Sequence, residues 1–222
     1  MTTDTAAPTP AQEASVPDAL ASFALSLQHK LLHLPQHLDG SWKSLFDARW
    51  PFLGELAAHP GCQRLQADLF VAQGGGVPGG NDLAAPHVQL ALLARPRVVR
   101  SLAVLALAGR PGVLRCAVER EARRALREWL DAAYEPLLAH SARGRPVSHQ
   151  VLGWTETHWA CLGYHDWAAL LRPQDSLWRR MVRVSLPRGL LGMRKRRRLA
   201  PADVKVRQAL QVLSDAGVQW PC

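Results

Sequence analysis

The pattern of apolar and polar positions is most regular over residues 95–140, where it predicts two consecutive helices. Pro96 can stand in the first turn of the first helix, because the N–H that proline lacks would have no helical partner there. Apolar residues then follow almost without interruption until Gly109, which we expect to end the helix in the left-handed conformation. A helix that is apolar on all sides is predicted to be buried. Its apolar residues are Val98, Val99, Leu102, Val104, Leu105 and Leu107.

The second helix is predicted to be long and amphipathic, beginning at Pro111 and continuing to the end of this region. Two pairs on its polar side, Glu119–Arg123 and Arg127–Asp131, have the i,i+4 spacing that stabilises a helix. We expect the rest of the chain to pack around these two helices, in which no residue is placed for chemistry. The apolar stripe, with intervals of three and four, consists of Leu114, Val118, Ala122, Ala125, Trp129, Ala133 and Leu137.

Shorter helices are predicted on both sides of this pair, because prolines, glycines and a capping turn separate short amphipathic segments. The segment 178–186 fits either a short strand or another helix, and residues 74–82 and 141–146 are predicted to be loops. The predicted helices are residues 19–34, a short helix that carries Trp42, Leu45 and Phe46, residues 50–58, 62–71 and 151–171, and a last helix between Pro201 and Gly217.

Length and composition indicate one globular domain with tails. The chain has 222 residues, of which 48% are hydrophobic, as is ordinary for a protein that buries a core. Residues 1–19 are rich in threonine, alanine and proline, so we expect a disordered leader without a secretory signal. No apolar run approaches the about 20 residues needed to cross a bilayer. The predicted fold is mainly α: a single helical domain over residues 20–188, preceded by the leader 1–19 and followed by a basic tail, residues 189–222, that ends in a helix.

The positive charge is concentrated near the C-terminus. Residues 1–171 contain 15 basic and 15 acidic residues, whereas residues 172–222 contain 12 basic and 3 acidic residues and so carry the whole formal net charge of +9. A domain that binds nucleic acid over its main face would be basic there. The basic run in the tail is therefore the candidate electrostatic contact, to an acidic protein, phosphate groups or acidic lipids, unless it serves only solubility. The run consists of Arg194, Lys195, Arg196, Arg197 and Arg198.

Three glycines match the spacing G-x-G-x-x-G of dinucleotide-binding loops. That motif requires a preceding strand, a following helix and an acidic residue about 20 positions later. Pro78 lies inside the pattern, no Asp or Glu lies near residue 99, and no Lys-Ser/Thr pair follows. We therefore interpret Gly74, Gly76 and Gly79 as part of a flexible loop and expect no nucleotide cofactor.

Two sets of residues have spacings that could hold zinc on one helical face. Neither set has an obvious fourth ligand, so we expect no metal ion and interpret these side chains as polar surface or partly buried groups. The four cysteines are far apart and form no C-x-x-C pair, which predicts free thiols in a reducing cytoplasm. The two sets are His29, His33 and His37, and His158, Cys161 and His165; the cysteines are Cys62, Cys116, Cys161 and Cys222.

The chain contains no motif typical of catalysis. There is no G-x-S-x-G, no catalytic-cysteine signature and no pair of carboxylates in a pocket-like pattern. The eight tryptophans lie mostly on apolar stripes, which favours core or interface anchors over base-stacking platforms. The residues alone thus indicate a helical domain with a basic tail and no visible active site.

Four blocks within residues 23–188 resemble, in order, the pattern of the SctK family, small cytoplasmic adaptors in the sorting platform of bacterial type III secretion systems. The resembling positions are mostly apolar, and the agreement lies in the order and length of the blocks. The first block is LLHLP (residues 31–35) followed by Trp42, and the second is PFL (51–53) with LQADLF (65–70). The third is residues 90–121, and the fourth is LGY (162–164) with Trp167 and residues 178–187.

The resemblance implies a mainly helical, non-enzymatic adaptor without cofactor or small-molecule substrate, at the cytoplasmic face of the inner membrane. It would link the cytosolic forkhead-associated domain of the ring protein SctD to the pods built from SctQ with SctL and the ATPase SctN. The leader and the basic run depart from the family pattern, so no family role is assigned to them. The competing hypothesis is a nucleic-acid-binding protein that uses its basic tail, and an enzyme with an unrecognised site is the third.

Overall fold

The computed structural model describes residues 16–49, 59–75, 85–140, 144–192 and 199–221, and these residues form helices and turns without a strand. The prediction of a mainly α fold is confirmed. Short 3-10 segments cover Asp131–Ala133 and Pro173–Asp175. The helices are α1 (Val16–Leu32), α2 (Leu34–His37), α3 (Gly40–Arg49), α4 (Pro60–Gln73), α5 (Pro86–Leu92), α6 (Arg95–Ala108), α7 (Pro111–Cys116), α8 (Arg120–Leu130), α9 (Tyr134–His140), α10 (His149–Leu152), α11 (Glu156–Ala168), α12 (Ser176–Val184), α13 (Arg188–Leu191) and α14 (Val206–Asp215).

The buried helix predicted from the sequence is α6, and it forms the centre of the molecule. All residues from 98 to 108 except Arg100 are buried. Helix α11 packs more extensively against α6 than any other described helix does. The two backbones approach so closely that a methyl group on Gly163 would lie 1.9 Å from the carbonyl oxygen of Leu102. Only glycine fits at this contact, because any side chain there would force the two central helices apart.

The end of α6 differs from the prediction. Gly109 does end the helix, but its φ of −74° is not left-handed. Its N–H donates to the carbonyl oxygen of Leu105, as in a continuing helix, and the chain turns at Arg110, whose φ is −139°. The turn at Arg110 brings Pro111 into position to begin α7.

The prediction of one long helix after Pro111 is wrong, because the chain breaks into α7, α8 and α9. The first break follows Cys116, and the second lies at Asp131, whose φ of 48° no continuous helix allows. The breaks change the apolar stripe, since Val118 is 69% exposed while Leu126 and Leu130 are buried instead. Each separate helix can thereby turn its own apolar face to the core.

The predicted charge pairs in this region are replaced by other contacts. Arg127 forms an ion pair with Glu135 at 2.8 Å, across the second break, rather than with Asp131. The Nε of Arg123 donates to the carbonyl oxygen of Ala117, at the first break. Both arginines therefore connect consecutive helices, which a spacing rule for one uninterrupted helix does not foresee.

The N-terminal helix begins at Val16, so residues 16–19 are helical although the predicted leader reached residue 19. Residues 1–15 of that leader lie outside the described residues. The sequence places five apolar residues on one side of the predicted helix 19–34; four of them are buried, whereas the fifth, Leu20, is 52% exposed. The predicted break at Pro35 is confirmed, since this proline stands in the first turn of α2. The four buried residues are Phe23, Leu27, Leu31 and Leu34.

The segment after residue 144 also contains more breaks than predicted. The predicted helix over residues 151–171 is two helices, α10 and α11, with Trp154 between them. The ambiguous segment 178–186 is helical, as part of α12, and the last helix begins at Val206 rather than Pro201. Gly217 has a φ of +69° and ends the α14 region as predicted. The predicted helix over residues 50–58 lies outside the described residues.

The segment 199–221 packs against the same core as the rest of the chain, although the sequence pattern assigns it to a tail. Ala200, Ala209 and Leu213 are buried, and α14 contacts α6 and α9. Trp220 donates its Nε1–H to the carbonyl oxygen of Ser101 in the middle of α6, at 2.8 Å. The core of the helical domain therefore extends beyond residue 188.

Candidate partner-binding surface

Three segments that are distant in sequence meet at the C-terminus of α12. The last carbonyl groups of a helix lack partners within that helix. Here the carbonyl groups of the last helical residue and of the two residues after it accept hydrogen bonds from the backbone N–H of Asp39, the Nε of Arg95 and the Nε1 of Trp42. These bonds fix α3 and the first turn of α6 against the end of α12. The accepting carbonyl oxygens are, in the same order, those of Val184, Ser185 and Leu186, at 2.8, 3.2 and 2.7 Å.

Asp39 organises the start of α3 and binds Arg95 at the same time. As the residue before the helix, it accepts hydrogen bonds from the N–H and the hydroxyl of Ser41, at 3.0 and 2.6 Å. Its other carboxylate oxygen pairs with Nη2 of Arg95 at 2.5 Å. Burial alone would raise the pKa of the Asp39 carboxyl, but the Ser41 hydrogen bonds and the Arg95 charge outweigh burial and hold the pKa below its usual value.

Two further arginines lie over the indole ring of Trp42, which is itself buried. The guanidinium carbons of Arg183 and Arg188 are 5.5 and 5.9 Å from the ring centroid, within the range of cation–π attraction. The N–H of Arg188 also donates to the Ser41 hydroxyl at 2.9 Å. We call this group the Trp42 surface; it consists of Asp39, Trp42, Arg95, Arg183 and Arg188.

The basic character continues along the first turns of α6. A cleft of about 530 Å³ there is lined by Arg95, Arg97 and Arg100 together with Glu156. Arg100 and Glu156 lie 3.9 Å apart. Burial raises the pKa of Glu156 and the charge of Arg100 partly offsets that effect. This region therefore adds positive charge next to the Trp42 surface, with Glu156 as its one acidic lining residue.

A second arginine-rich surface is formed by α8, but there the charges of both signs alternate. Four exposed arginines surround a cleft of about 700 Å³ beside the exposed Val118. Helix α8 itself carries Glu121 and Glu128, and further carboxylates flank it. We call it the α8 surface; its arginines are Arg120, Arg123, Arg124 and Arg127, and the flanking acidic residues are Glu119, Asp131 and Glu135.

A buried ion pair between Arg110 and Asp166 joins the centre of the molecule to its C-terminal segment. The guanidinium contacts both carboxylate oxygens, at 2.6 and 3.2 Å. It also donates to the carbonyl oxygens of Ala106 and Ala200, at 2.9 and 2.7 Å. The side chain of Arg110 is 1% exposed, so all of its interactions lie within the protein. A cleft of about 480 Å³ between Asp166 and residues 202–207 is open next to this pair.

A buried lysine lies in the last turn of α1, close in the sequence to His29, His33 and His37. Lys30 is 2% exposed, its Nζ donates to the carbonyl oxygen of Leu93 at 2.5 Å, and burial lowers its pKa to about 7. The rings of His29 and His33 are 4.5 Å apart. Burial, and then the charges of Lys30 and the two other histidines, lower the pKa of His37 to about 4. Burial thus favours the neutral forms of Lys30 and His37.

The candidate metal residues are engaged in other contacts. Nδ1 of His158 lies 2.7 Å from the hydroxyl oxygen of Thr155, at the start of α11, and Nε2 of His165 lies 3.1 Å from the carbonyl oxygen of Leu191. Cys161 is buried, and like Cys62 and Cys116 it is a free thiol, as predicted. In the parts of the chain that the structure describes, no three His, Cys, Asp or Glu side chains are grouped so that they could hold a metal ion.

Several predicted site residues lie outside the described residues, so the structure says nothing about them. They include the basic run Arg194, Lys195, Arg196, Arg197 and Arg198, the glycines Gly76 and Gly79, and Cys222. Gly74, the first glycine of the dinucleotide-like pattern, follows α4 and its N–H donates back to the carbonyl oxygens of Phe70 and Val71.

The sequence pattern missed the Trp42 surface and Lys30. One signal for the arginines was available: if the segment 178–186 is helical, Arg179, Arg180 and Arg183 fall opposite its apolar residues. For Lys30, the signal was its position three residues after Leu27, within the apolar stripe of α1. No pattern indicates that Arg95 meets Asp39, since 56 residues separate them.

Comparisons of the chain with protein-family models, curated proteins and solved structures find no match. Of the helices in the described ranges, none has both the length and the hydrophobicity required to span a membrane.

Proposed function

We propose that this chain is a non-enzymatic adaptor of a type III secretion sorting platform, similar to the SctK family. It would act at the cytoplasmic face of the inner membrane, connecting the cytosolic domain of SctD to the pods that contain SctQ, SctL and the ATPase SctN. The observation that carries the proposal is the hydrogen bond from Trp42 to Leu186. It joins the first and the fourth of the resembling blocks, which are 144 residues apart in the sequence.

The contact supports the proposal because a resemblance that is spread over separate sequence blocks is stronger evidence when residues of those blocks form one structural unit. Trp42 belongs to the first block, and the end of α12 belongs to the fourth. Both blocks contribute residues that fix the junction between α3 and α12. If the blocks serve to build a family-specific surface, that surface is expected at this junction.

The site chemistry also favours binding over catalysis. Among the described side chains, the groups with the largest pKa shifts are Lys30 and His37, which line no described cleft. The described clefts are bordered mainly by arginines, carboxylates in ion pairs and apolar side chains. Such surfaces are suited to electrostatic recognition of another macromolecule, which mostly sets specificity and association rate.

The test is binding of the full-length protein to purified SctD cytosolic domain and to SctQ of the same bacterium. We expect both to bind. Replacing Arg194, Lys195, Arg196, Arg197 and Arg198 by alanine should weaken binding only modestly, because exposed charges are screened by salt. The competing nucleic-acid hypothesis expects tight, strongly salt-dependent binding to DNA or RNA that disappears in the same variant. Nucleic-acid binding of that kind, with no affinity for SctD or SctQ, would refute the adaptor function.

A further inference from the structure

We propose that the Trp42 surface is a docking site for an acidic segment of a partner protein. That this partner is a component of the secretion platform rests on the proposed function. The acidic chemistry of the segment is argued from the contacts of the surface itself. The proposal moves the expected electrostatic contact from the C-terminal basic run to the folded part of the chain.

Arg183 and Arg188 form no ion pair with a described residue. In the described residues, no carboxylate oxygen lies within 4.0 Å of Arg183 or Arg188, and both side chains are exposed. The third, Arg95, pairs with Asp39 but remains 39% exposed. With one aspartate among three arginines, the surface has a positive charge that no described residue neutralises.

The arginine side chains of the Trp42 surface are already restricted in the unbound protein. Stacking over the Trp42 ring restricts the guanidinium groups of Arg183 and Arg188, and a guanidinium on an aromatic face keeps its N–H edges free for an acceptor. The hydrogen bonds at the end of α12 fix Trp42 and Arg95 in turn. Less side-chain entropy is then lost on binding, so affinity increases without additional contact area.

A carboxylate-bearing protein fits this surface better than a single-stranded nucleic acid with stacked bases does. Trp42 is only 8% exposed and is covered by guanidinium groups, so it cannot serve as a stacking platform for bases. Three arginines match two or three carboxylates of a short acidic segment, with the bidentate geometry that guanidinium and carboxylate share.

The experiment measures anisotropy of a short, fluorescein-labelled, glutamate-rich peptide on the full-length protein. The variant is R183E/R188E, and the matched control is R120E/R124E on the α8 surface, because both exchange exposed arginines and change the net charge equally. A third variant, R183K/R188K, keeps the positive charge but not the planar guanidinium that can bind a carboxylate through two N–H groups. Circular dichroism and thermal unfolding verify that each variant is folded.

We expect R183E/R188E to weaken peptide binding about tenfold or more, R183K/R188K to weaken it less, and R120E/R124E to change it by no more than about twofold. The same peptide with glutamine in place of glutamate should not bind. An equal loss in R183E/R188E and R120E/R124E would overturn the proposal, because net charge alone would then explain binding. Tighter binding of a single-stranded oligothymidine, or of phosphatidylserine vesicles, that is lost in R183E/R188E would also overturn it.

The two platform components distinguish this proposal from the proposed function. We expect R183E/R188E to lose binding to one of SctD cytosolic domain or SctQ while R120E/R124E retains both. If R183E/R188E binds every component that wild type binds, and binds each equally well, the docking surface is refuted and the adaptor function stands. If wild type binds neither component while the peptide results are as expected, the adaptor function is refuted and the acidic docking surface stands.

Discussion

Two arginine–aspartate pairs in this molecule have nearly the same shortest N–O distance and different surroundings. Arg110 and Asp166 are 2.6 Å apart, with side chains 1% and 11% exposed, whereas Arg95 and Asp39 are 2.5 Å apart, with side chains 39% and 12% exposed. Each pair joins three segments of the chain. The difference is that Arg110 directs all its contacts inward, while Arg95 keeps part of its guanidinium in solvent.

The comparison indicates that exposure, rather than the shortest distance between the two charges, separates a structural ion pair from one that can also bind a partner. A guanidinium enclosed by a carboxylate and two carbonyl oxygens cannot give up a contact without leaving a charge unsatisfied. A half-exposed guanidinium can exchange water for a new acceptor at little cost.

Asp166→Ala is expected to destabilise the protein by about 3–5 kcal/mol, because it leaves the charge of Arg110 buried without its carboxylate. Urea denaturation followed by tryptophan fluorescence measures the loss. The double variant R110M/D166L removes both charges and should recover most of the stability. A loss for Asp166→Ala no larger than that for Asp39→Ala would show that the two pairs do not differ in the way described.

Lys30→Met tests the effect of burying an ionisable amine without an acidic partner. Lys30 donates to a carbonyl oxygen, and no described carboxylate lies within 4.0 Å of it. Burial lowers the folded-state pKa of Lys30 to about 7 from its ordinary value of 10.5, so the unfolded chain binds more protons between these values. Wild-type stability should therefore rise with pH across this window, by roughly 2 kcal/mol between about pH 7 and 9.

The Lys30→Met variant should lack that rise and be more stable than wild type at neutral pH. Urea denaturation of both proteins at a series of pH values measures the slopes. Lys30→Arg, which keeps a charge that cannot be removed in this window, is the control and should be destabilised without gaining the slope. Parallel slopes for wild type and Lys30→Met would contradict the burial of a titrating Lys30.

Asp39→Ala is expected to cost about 1–2 kcal/mol, chiefly through loss of the cap on α3, because its partner Arg95 is partly solvated. The folded-state pKa of Asp39 is below the usual value, so its contribution is present above pH 3.8 and is lost as the pH falls through the folded-state pKa. The difference in stability between wild type and Asp39→Asn should therefore shrink in acid. A difference that grows in acid would mean that the pKa is raised instead.

Arg127→Ala should have the smallest effect, within about 0.5 kcal/mol, because both partners of its pair with Glu135 are largely exposed, at 60% and 67%. Thermal unfolding at low and high salt measures this change in stability. Arg127 also lies 5.1 Å from the ring centroid of Tyr134, so Arg127→Lys is a useful control that keeps the charge. A loss above about 1 kcal/mol would show that exposure does not rank these ion pairs.

Periodicity and punctuation predicted most helices of this chain but not their breaks. The buried character of α6 and the stop before Pro35 could be read directly, since apolar runs and proline act locally. The break at Asp131 could not, because the sequence there continues a helical pattern and only packing of Leu126, Leu130 and Leu137 into one core favours separate helices. For the candidate site, the distribution of charged residues along the sequence indicated the C-terminal tail as the binding surface. That distribution cannot show that Arg95, Arg183 and Arg188 lie together in the folded protein.

The sequence by itself determined a mainly helical chain with a buried central helix and no recognisable catalytic motif. These properties follow from local composition and spacing, which fix which faces are apolar and where helices can begin. Tertiary structure alone decided that Gly163 is the contact point of α6 and α11 and that the end of α12 gathers Asp39, Trp42 and Arg95. Those contacts depend on how distant segments pack, and the same residue types at the same positions would satisfy many other packings.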